Sequence, residues 1–499
     1  MTHGARLDGL ALAAGLLLPL GFAPFGWYPL PLLGLALALH CWLAAPPRRA
    51  FWRGWLFGLG QFGFGVGWVY ISIHQFGGNS LPVALAISFG MVAFLALYPA
   101  LLGGLLAWLW QRDRRPWRIV LALPAAWLVL EWLRGWLLTG FPWLALGVSQ
   151  IDTPLAAVAP VGGSLAVGFV AALSAGLLWA VVAAAGHAGR LLALLLLAAT
   201  WGGLAAWGGR DWTEPAAAPF RASLVQGNIA QTRKWLPEEL DTTLDLYRRL
   251  TESTWESRLV VWPETAVPVF YENVAGGYLD ELQQAARDHG TDLLLGIPYR
   301  DRAGDRYYNA MLGLTGSGRA FYFKRHLVPF GEFLPLRSLF GEALRFLHVP
   351  MADFSRGPAV QPPLRLAGQP VGVSICYEDV FAVEVRRALP AATLLVNVSN
   401  DAWFGDSIAP HQHLQIARMR ALETGRMLLR GTNTGISAII GPRGEVRARA
   451  PQFQVAVLHG MVEPRRGATP YVRLGDRPVV VLALLLGLLA AARLPRRTA

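Results

Sequence analysis

The stretch PVGVSICYEDVF (370–381) places Cys376 directly after a short apolar run that is typical of a buried β-strand. Two other apolar runs end in the same way, in LVVWPETAVP (259–268) and GRAFYFKRHLVPFGEF (318–333). Glu264 and Lys324 are the charged residues that follow these two runs. Side chains that leave the ends of neighbouring strands can meet at one place. A carboxylate, an ammonium and a thiol there would supply a general base, an oxyanion stabiliser and a nucleophile.

The surrounding sequence alternates between apolar runs and amphipathic stretches. Strand-like runs lie at 221–226, 259–262, 292–297, 310–315, 320–323, 371–375 and 393–399. Helical patterns lie at 237–257, 276–289, 381–389 and 410–430, and GISAIIGPRGEVRARA (435–450) has the turn residues of a hairpin. This alternation predicts a layered α/β domain over 220–470, in which the runs between 292 and 323 form an antiparallel group. Segment 208–219 is predicted to be a linker.

The rest of the chain is far more apolar. Residues 1–207 contain four acidic side chains, Asp8, Asp113, Glu131 and Asp152. Apolar runs lie at about 9–23, 27–45, 54–73, 82–110, 117–138, 160–185, 190–207 and 478–493, and most approach the roughly 20 residues that cross a bilayer core. They predict a seven-span membrane domain over 1–207 and a C-terminal span over 478–493. The first run could instead be a cleaved signal peptide, but the spans that follow at once favour a retained helix.

The short connections between these runs alternate sharply in charge. Twelve arginines share one side: Arg6, Arg48, Arg49, Arg53, Arg112, Arg114, Arg115, Arg118, Arg190, Arg493, Arg496 and Arg497. The connections 24–26, 72–81 and 139–159 contain no Lys or Arg. This asymmetry predicts cytoplasmic termini and an extracytoplasmic 208–477 segment. The twelve arginines, less Asp8 and Asp113, give +10 of the net charge of +12. The basic pI therefore reflects topology, and nucleic acid is not expected as a partner.

The two cysteines of the chain are not expected to pair. Cys41 lies in the second apolar run, and Cys376 lies in the α/β domain. A single thiol that faces an oxidising compartment is either buried or used in chemistry. A buried structural cysteine is the alternative interpretation of Cys376 taken alone. The accompanying Glu264 and Lys324 favour the catalytic interpretation.

The chemistry of this set follows from the charge on each group. A thiol attacks a carbonyl group as the thiolate, and we expect Lys324 to favour that form of Cys376 while Glu264 accepts the proton. The carbonyl oxygen becomes an oxyanion during the attack. The Lys324 ammonium and the backbone N–H of Tyr377 are the expected donors to it.

Two further carboxylates, Glu332 and Glu378, lie close to these residues in sequence. Together with Glu264, they are expected to surround Lys324 and balance its charge, with one carboxylate free to move protons. A surface ion pair is the alternative for any one of these residues considered alone.

WPET, the lysine of FKRHLVPFGEF and the cysteine of GVSICYED resemble the three signatures of the nitrilase, or carbon–nitrogen hydrolase, superfamily. More narrowly, the chain is similar to the apolipoprotein N-acyltransferases of Gram-negative bacteria. Further similar stretches are QGNIAQTRKW (226–235), YYNA (307–310), NVSNDAWFG (397–405) and GRMLLRGTNTGISAIIGPRG (425–444). The similarity covers nearly the whole chain. It implies a polytopic α-helical membrane domain of about eight spans, and an extracytoplasmic α/β domain with the nitrilase α-β-β-α sandwich.

The resemblance implies a ping-pong acyl transfer. A thiol would take a fatty acyl group from a membrane phospholipid as a thioester, and the α-amine of a diacylglyceryl-cysteine on an apolipoprotein would then attack that thioester. The implied catalytic residues are Glu264, Lys324 and Cys376, and the implied supporting or substrate-binding residues are Trp235, Glu332, Tyr377 and Glu378. The partners would be phospholipid, diacylated apolipoproteins and the lipid bilayer, with no cofactor. The implied location is the bacterial inner membrane, with the α/β domain in the periplasm, and we expect a monomer.

Three other pairs of residues have less specific interpretations: His411 with His413, Glu131 with Arg134, and Arg426 with Arg430. The histidines lie on different helix faces with no nearby cysteine or acidic cluster, so a metal site is not expected. The charged pair near the outer end of the fifth run is either a helix-internal pair or a lipid-headgroup contact. The two arginines, one turn apart on a predicted helix, favour structural pairing over a phosphate contact.

Two other functions stay open. A membrane-tethered amidase or nitrilase-like hydrolase would form the same acyl-thioester but use water as the acceptor. A non-catalytic transport or scaffold protein would be expected to have lost part of the triad, which this chain retains. The similarity through the apolar half favours the transferase.

Overall fold

The computed structural model describes residues 3–333 and 354–492. These residues form two compact units. The sheet unit contains the described residues of Ile71–Ala84 and Asp211–Arg473, and the other described residues form the helical unit. The sheet unit therefore begins inside the predicted linker 208–219. It also includes Ile71–Ala84, which covers the predicted connection 72–81 and the adjoining ends of two apolar runs.

Helices occupy all the predicted apolar runs. They are His3–Leu17, Pro29–Leu43, Pro47–Gly65, Leu81–Leu95, Leu97–Arg112, Pro116–Arg134, Ala159–Ala183, His187–Trp207 and Arg477–Ala491. In the described part of the chain, five helical segments are long and apolar enough to cross a membrane. Pro47–Gly65 and Val69–Phe76, bent by 59°, would together make a sixth. Pro29–Leu43 and Arg477–Ala491 are shorter apolar helices, so the count of eight spans stays a prediction. Arg493, Arg496 and Arg497 lie outside the described residues.

Small residues allow close contact between these helices. A Cβ atom added to Gly15 would lie 2.0 Å from the carbonyl oxygen of Phe57, and one added to Gly54 would lie 2.3 Å from that of Pro99. Helices in lipid associate mainly through van der Waals packing. Larger side chains at these two positions would therefore push the helices of this unit apart.

The strands of the sheet unit lie between residues 213 and 467. They are β1 (Thr213–Pro215), β2 (Phe220–Gln226), β3 (Leu259–Val261), β4 (Asp292–Asp301), β5 (Arg306–Thr315), β6 (Gly318–Phe323), β7 (Leu364–Leu366), β8 (Gln369–Ile375), β9 (Leu394–Ser399), β10 (Leu428–Thr432), β11 (Ala438–Ile440), β12 (Val446–Arg449), β13 (Ala456–Val462) and β14 (Arg465–Gly467). Most contain consecutive buried residues, as expected for strands covered on both faces.

These strands form two six-stranded sheets and a short pair. The first sheet has the order β13-β2-β3-β4-β5-β6, the second has the order β12-β11-β10-β9-β8-β7, and β1 pairs with β14. Strands β2, β3 and β4 are parallel, whereas β4, β5 and β6 are antiparallel neighbours. The predicted antiparallel group is therefore confirmed. The predicted hairpin is also confirmed, as β11 and β12.

The two sheets pack face to face, and helices cover their outer faces. Alternate residues of β4 show this arrangement, since Leu294 lies in the core between the sheets while Leu293 and Leu295 pack against helices. The helices Leu240–Glu252 and Tyr278–Asp288 contribute to the core on the first sheet. The helix Ala409–Thr424 contributes to the core on the second. The sheet unit is therefore an α-β-β-α sandwich.

The predicted helix 410–430 is too long. The helix ends at Thr424, and Gly425 follows in a left-handed conformation with φ 63°, as is common just after a helix. The chain then enters β10 at Leu428. Apolar periodicity continues through this boundary because both the helix and the strand are buried, and the sequence pattern therefore merged the two.

Candidate active site

Glu264, Lys324 and Cys376 follow strands of two facing sheets. Glu264 comes soon after β3 and Lys324 directly after β6, both in the first sheet, whereas Cys376 directly follows β8 of the second. All three side chains are buried, and the charges of Glu264 and Lys324 both act on the thiol. The structure therefore brings the three predicted residues together at the carboxyl ends of their strands.

Lys324 is held between two carboxylates. Its Nζ lies 2.9 Å from Glu332 Oε1 and 3.4 Å from Glu264 Oε1. Asn309 Nδ2 donates to the same two oxygens, at 2.7 Å to Glu264 and 3.1 Å to Glu332. Burial alone would lower the pKa of Lys324, but Glu332 and then Glu264 outweigh it and raise that pKa. The lysine is therefore charged at neutral pH.

The carboxylate of Glu264 is fixed at both oxygens. Oε1 accepts from Asn309 and Lys324, and Oε2 accepts from the backbone N–H of Asn400 at 2.9 Å. The backbone carbonyl of Glu264 accepts from Lys234 Nζ at 3.1 Å. Burial lowers the pKa of Lys234 to about 8, while Glu264 opposes that shift. Glu264 is thus held in one orientation by partners from several parts of the sheet unit.

Cys376 has a left-handed backbone conformation, with φ 51°, at the turn between β8 and the short helical segment Cys376–Val380. This conformation is uncommon for a residue other than glycine and points to a functional constraint. Burial raises the pKa of the Cys376 thiol, Glu264 raises it further, and Lys324 lowers it by less. The resting thiol is therefore neutral. Lys324 favours the thiolate as expected, but burial and Glu264 outweigh its effect.

Glu378 organises the chain around the lysine without joining its ion pairs. Its carboxylate accepts from four donors: the backbone N–H groups of Arg325, His326 and Ile375 at 2.7, 3.1 and 2.8 Å, and the Tyr322 hydroxyl at 2.9 Å. Burial raises its pKa to about 7, against the effect of the backbone donors. Among the described ion pairs, only Glu264 and Glu332 contact the ammonium of Lys324, while the charge of Lys324 still acts on Glu378.

Glu378→Gln is expected to destabilise the protein, because the amide nitrogen cannot accept and leaves a buried donor unpaired. Such a loss costs about 1–3 kcal/mol. Tyr322→Phe is the matched control, since it removes one donor and leaves the three backbone contacts of the carboxylate intact. The measurement is thermal unfolding of both variants in the same detergent. Equal midpoints for the two variants would contradict the role assigned to Glu378.

Tyr377 continues the turn that begins at Cys376. Its ring packs edge-on against Phe381, with ring centroids 4.9 Å apart, and against His326 at 5.9 Å. These contacts fix the peptide that joins Cys376 to Tyr377. The N–H of that peptide is the donor that the sequence predicts for the oxyanion.

An apolar cavity of about 700 Å³ lies near Glu264, to which Gln231 and Asn400 connect it. Its lining includes Phe76, Trp235, Val269, Phe270, Phe354 and Trp403. Gln231, also in the lining, accepts from Asn400 Nδ2 at 2.7 Å, and the backbone N–H of Asn400 binds Glu264. Trp235 lies on a loop and is 40% exposed, as its polar neighbours in the sequence predict. A cavity with this lining fits a hydrocarbon chain better than a polar ligand.

Comparisons with known proteins agree with both halves of the chain. Residues 14–177 match the apolipoprotein N-acyltransferase N-terminal domain, and residues 221–470 match the carbon–nitrogen hydrolase domain. An apolipoprotein N-acyltransferase of Methylococcus capsulatus is 49% identical, over 97% of this chain and 96% of the relative. Another, of Azotobacter vinelandii, is 47% identical, over 96% and 93%. The chain belongs to the apolipoprotein N-acyltransferase family.

A solved carbon–nitrogen hydrolase superfamily protein of Xanthomonas campestris is 19% identical, with a TM-score of 0.37, and the match covers 53% of this chain and 97% of the other. Membership of the apolipoprotein N-acyltransferase family, together with the long apolar helices, identifies a bacterial membrane protein.

Arg430 and His413 belong to one buried ionic cluster in this family member. Arg430 lies on β10 and not on a helix, and it pairs with Asp379 at 3.3 Å and Asp401 at 3.0 Å. His413 bridges the same carboxylates, at 2.8 Å to Asp379 and 3.1 Å to Asp401. Acidic groups therefore do lie near His413, contrary to the sequence prediction. In the described residues, no group of His, Cys, Asp or Glu has an arrangement that could hold a metal ion.

Arg426 also has a structural role, although its partners differ from those predicted. It follows the helix and donates to the backbone carbonyls of Ala392 at 2.9 Å and Gly467 at 2.7 Å. Burial lowers its pKa to about 10, so the guanidinium stays charged at neutral pH. The preference for structural pairing over phosphate is consistent with these contacts, while the expected carboxylate partner is replaced by carbonyl oxygens.

Glu131 and Arg134 form the helix-internal pair that was one of two alternatives. Their charged atoms lie 3.6 Å apart, and both side chains are buried. Glu131 also accepts from the backbone N–H of Leu146 at 2.8 Å, and Arg134 donates to the carbonyl of Phe141 at 2.7 Å. The pair therefore connects a helix to the chain that follows it within the helical unit.

The sequence interpretation assigned no role to three polar residues that contact side chains of the candidate catalytic set. They are Asn309, Ser399 and Asn400. The sequence contains a signal for Ser399 and Asn400, because polar residues end the apolar run in NVSND (397–401) as they do in ICYED. Asn309 lies inside β5, where a single polar residue in a buried strand gives no indication of its partner.

Proposed function

We propose that this protein transfers a fatty acyl chain from a membrane phospholipid to the α-amine of the N-terminal diacylglyceryl-cysteine of apolipoproteins, which completes their maturation. The observation that carries the proposal is the buried, neutral thiol of Cys376 beside the carboxylate of Glu264 and the cation of Lys324. Family membership supplies the substrate classes. The roles of the individual residues follow from their contacts.

In the first half-reaction, Glu264 takes the proton of the Cys376 thiol as Sγ attacks the ester carbonyl carbon of the phospholipid. The carbonyl oxygen becomes an oxyanion, and Lys324 and the backbone N–H of Tyr377 stabilise it. When the intermediate collapses, the C–O bond breaks and the lysophospholipid leaves as an alkoxide. Glu264 returns the proton to that oxygen, and a thioester remains on Cys376.

In the second half-reaction, the α-amine of the apolipoprotein attacks the thioester. A free α-amine has a pKa of about 8, so a base is needed to take a proton during the attack. Glu264 is again the base that takes this proton. The C–S bond breaks, the thiolate leaves, and Glu264 returns a proton to Cys376, which restores the resting thiol and releases the amide product.

Glu332 and Asn309 maintain the charge and the geometry of the site during this cycle. Glu332 neutralises Lys324, so Glu264 can become protonated while the ammonium still has a carboxylate partner. Asn309 donates to both carboxylates and holds them at a fixed spacing. These contacts support the assignment of Glu264 as the proton carrier.

The apolar cavity is the proposed site of the acyl chain. It adjoins the base through Gln231 and Asn400, and Trp235 lies in its wall. We place the protein in the bacterial inner membrane with eight spans, cytoplasmic termini and a periplasmic sheet unit. The arginine asymmetry of the sequence supports this topology. We expect it to act as a monomer.

Discharge of the acyl-enzyme separates a transferase from a hydrolase. With phospholipid alone, the acyl-Cys376 enzyme is expected to persist, because a transferase must exclude water from its thioester. Addition of a diacylated lipopeptide with a free α-amine should discharge it. The measurement is intact mass spectrometry of the full-length protein over time, with the two substrates added in turn.

The matched control is the same lipopeptide with its α-amine acetylated, which should leave the thioester in place. Rapid release of free fatty acid without any lipopeptide would show that water is the acceptor, and the hydrolase alternative would then replace the transferase.

A further inference from the structure

Ser399, the last residue of β9, is a buried hydroxyl that the proposed mechanism does not use. Its Oγ lies 3.3 Å from Cys376 Sγ and 2.7 Å from Asp401 Oδ1. A hydroxyl has one hydrogen and two acceptor lone pairs. Ser399 can therefore donate to only one of these two neighbours at a time, and its orientation decides which of them receives the hydrogen bond.

We assign the hydrogen of Ser399 in the resting protein to Asp401, the nearer and charged acceptor. Burial would raise the pKa of Asp401, but Arg430 and then His413 outweigh it and hold that pKa well below its usual value. An ionised carboxylate accepts hydrogen bonds and cannot donate. With its hydrogen on Asp401, the Ser399 oxygen presents a lone pair to the neutral thiol, and the S–H of Cys376 can donate to it.

Asp401 is a rigid support for this arrangement. Its Oδ2 accepts from Arg430 Nη2 at 3.0 Å, and its Oδ1 lies 3.1 Å from His413 Nδ1. Arg430 and His413 also contact Asp379, so the four side chains form a closed ionic cluster. All four are at most 1% exposed. Asp401 therefore keeps its contacts with Arg430 and His413 even when the Ser399 hydrogen bond is broken.

We propose that Ser399 is a positioning residue whose hydroxyl turns from Asp401 to Cys376 Sγ when the thiol loses its proton, and turns back when the thioester forms. This inference rests on the proposed function, in which Cys376 is the nucleophile. No proton passes through Ser399, because the thiol proton goes to Glu264 and the hydroxyl keeps its own. One hydrogen bond to a charged acceptor is exchanged for another.

This rotation of the Ser399 hydroxyl contributes to both half-reactions. During attack on the phospholipid, it stabilises the thiolate before the C–S bond forms. During attack by the amine, it stabilises the thiolate that leaves when the C–S bond breaks. The groups that face the sulfur are then Glu264, Lys324, Asp401 and Ser399, of which Lys324 and Ser399 stabilise the negative charge on sulfur.

Ser399→Ala tests this assignment in the full-length protein. The rate of acyl-enzyme formation is expected to fall by about 10- to 100-fold, which corresponds to loss of one hydrogen bond to a charged group. The KM for phospholipid should stay unchanged. The rate at which iodoacetamide alkylates the peptide containing Cys376, measured by mass spectrometry across a pH series, should show an apparent pKa above that of wild type.

Ser223→Ala is the matched control. Ser223 is an equally buried hydroxyl of β2 that bonds to Ser257 and His459 rather than to the candidate catalytic residues. This variant is expected to retain the wild-type acylation rate and alkylation profile. Ser399→Thr, which keeps a hydroxyl at the position, should recover most of the rate lost in Ser399→Ala.

Asp401→Asn distinguishes rotation of the Ser399 hydroxyl from general damage to the fold. The change removes a negative charge near the sulfur. It also weakens the acceptor that competes with Cys376 Sγ for the hydrogen of Ser399. The apparent pKa of Cys376 alkylation should therefore fall, opposite to its direction in Ser399→Ala. An unchanged profile in Ser399→Ala, or shifts of both variants in the same direction, would overturn the inference. If wild type forms no acyl-enzyme, the proposed function fails, and the alkylation profiles still test Ser399.

Discussion

Cys376→Ala is expected to abolish acyl transfer while the protein remains folded. Wild-type protein incubated with phospholipid should gain the mass of one acyl chain on the peptide that contains Cys376, and the variant should gain none. Alanine keeps the Cβ atom and so suits the left-handed conformation at this position as well as cysteine does. Thermal unfolding measured alongside checks that the fold persists.

Two further variants sharpen this test. Cys376→Ser should also be inactive, because a serine hydroxyl is far less acidic than a thiol and Glu264 cannot deprotonate it effectively. Cys41→Ala removes the other thiol of the chain and should leave transfer intact. An acyl adduct on any other residue, or full transfer by Cys376→Ala, would eliminate the thioester mechanism.

Lys324→Met is expected to lower the rate of acyl-enzyme formation by orders of magnitude, with phospholipid binding largely retained. Loss of one oxyanion donor commonly costs about 2.7–4 kcal/mol of barrier. The structure adds a second cause. Without the ammonium, Glu264 and Glu332 face each other as buried carboxylates, and one of them must take up a proton. If Glu264 takes it, the base is also lost.

The double variant Lys324→Met with Glu332→Gln separates these causes, because it restores the charge balance without restoring the oxyanion donor. The double variant should remain slow in single-turnover acylation measured by rapid quench and mass spectrometry. Recovery of the wild-type rate would show that Lys324 only balances charge. Lys324→Arg should rescue poorly, since a planar guanidinium cannot replace a compact ammonium between two carboxylates.

The sequence predicted the strand ends that carry the candidate catalytic residues because each is marked locally. In LVVWPET, AFYFKRH and VGVSICYED, an apolar run stops where charged or polar residues begin, and β3, β6 and β8 end at those boundaries. The antiparallel group and the final hairpin were also visible, since alternation and turn residues are local signals. Local signals thus sufficed for most of the sheet unit.

Features that depend on contacts distant in sequence could not be predicted in the same way. The position of Asn309 between two carboxylates depends on the register of β5 with its neighbours, and no short motif encodes that register. The segment Ile71–Ala84 covers a connection and the adjoining ends of two apolar runs, yet it belongs to the sheet unit. The sequence shows the charges of Lys324 and Glu264 near the thiol but not the burial that has the largest effect on its pKa.

The division of the candidate catalytic residues between two sheets has a consequence for the newly made chain. Glu264 and Lys324 belong to one layer and Cys376 to the other, so neither layer alone contains a complete reaction centre. Until the layers associate, Cys376 is an ordinary thiol without a base or a cation beside it. Association of the two layers is therefore required before the candidate reaction centre is complete.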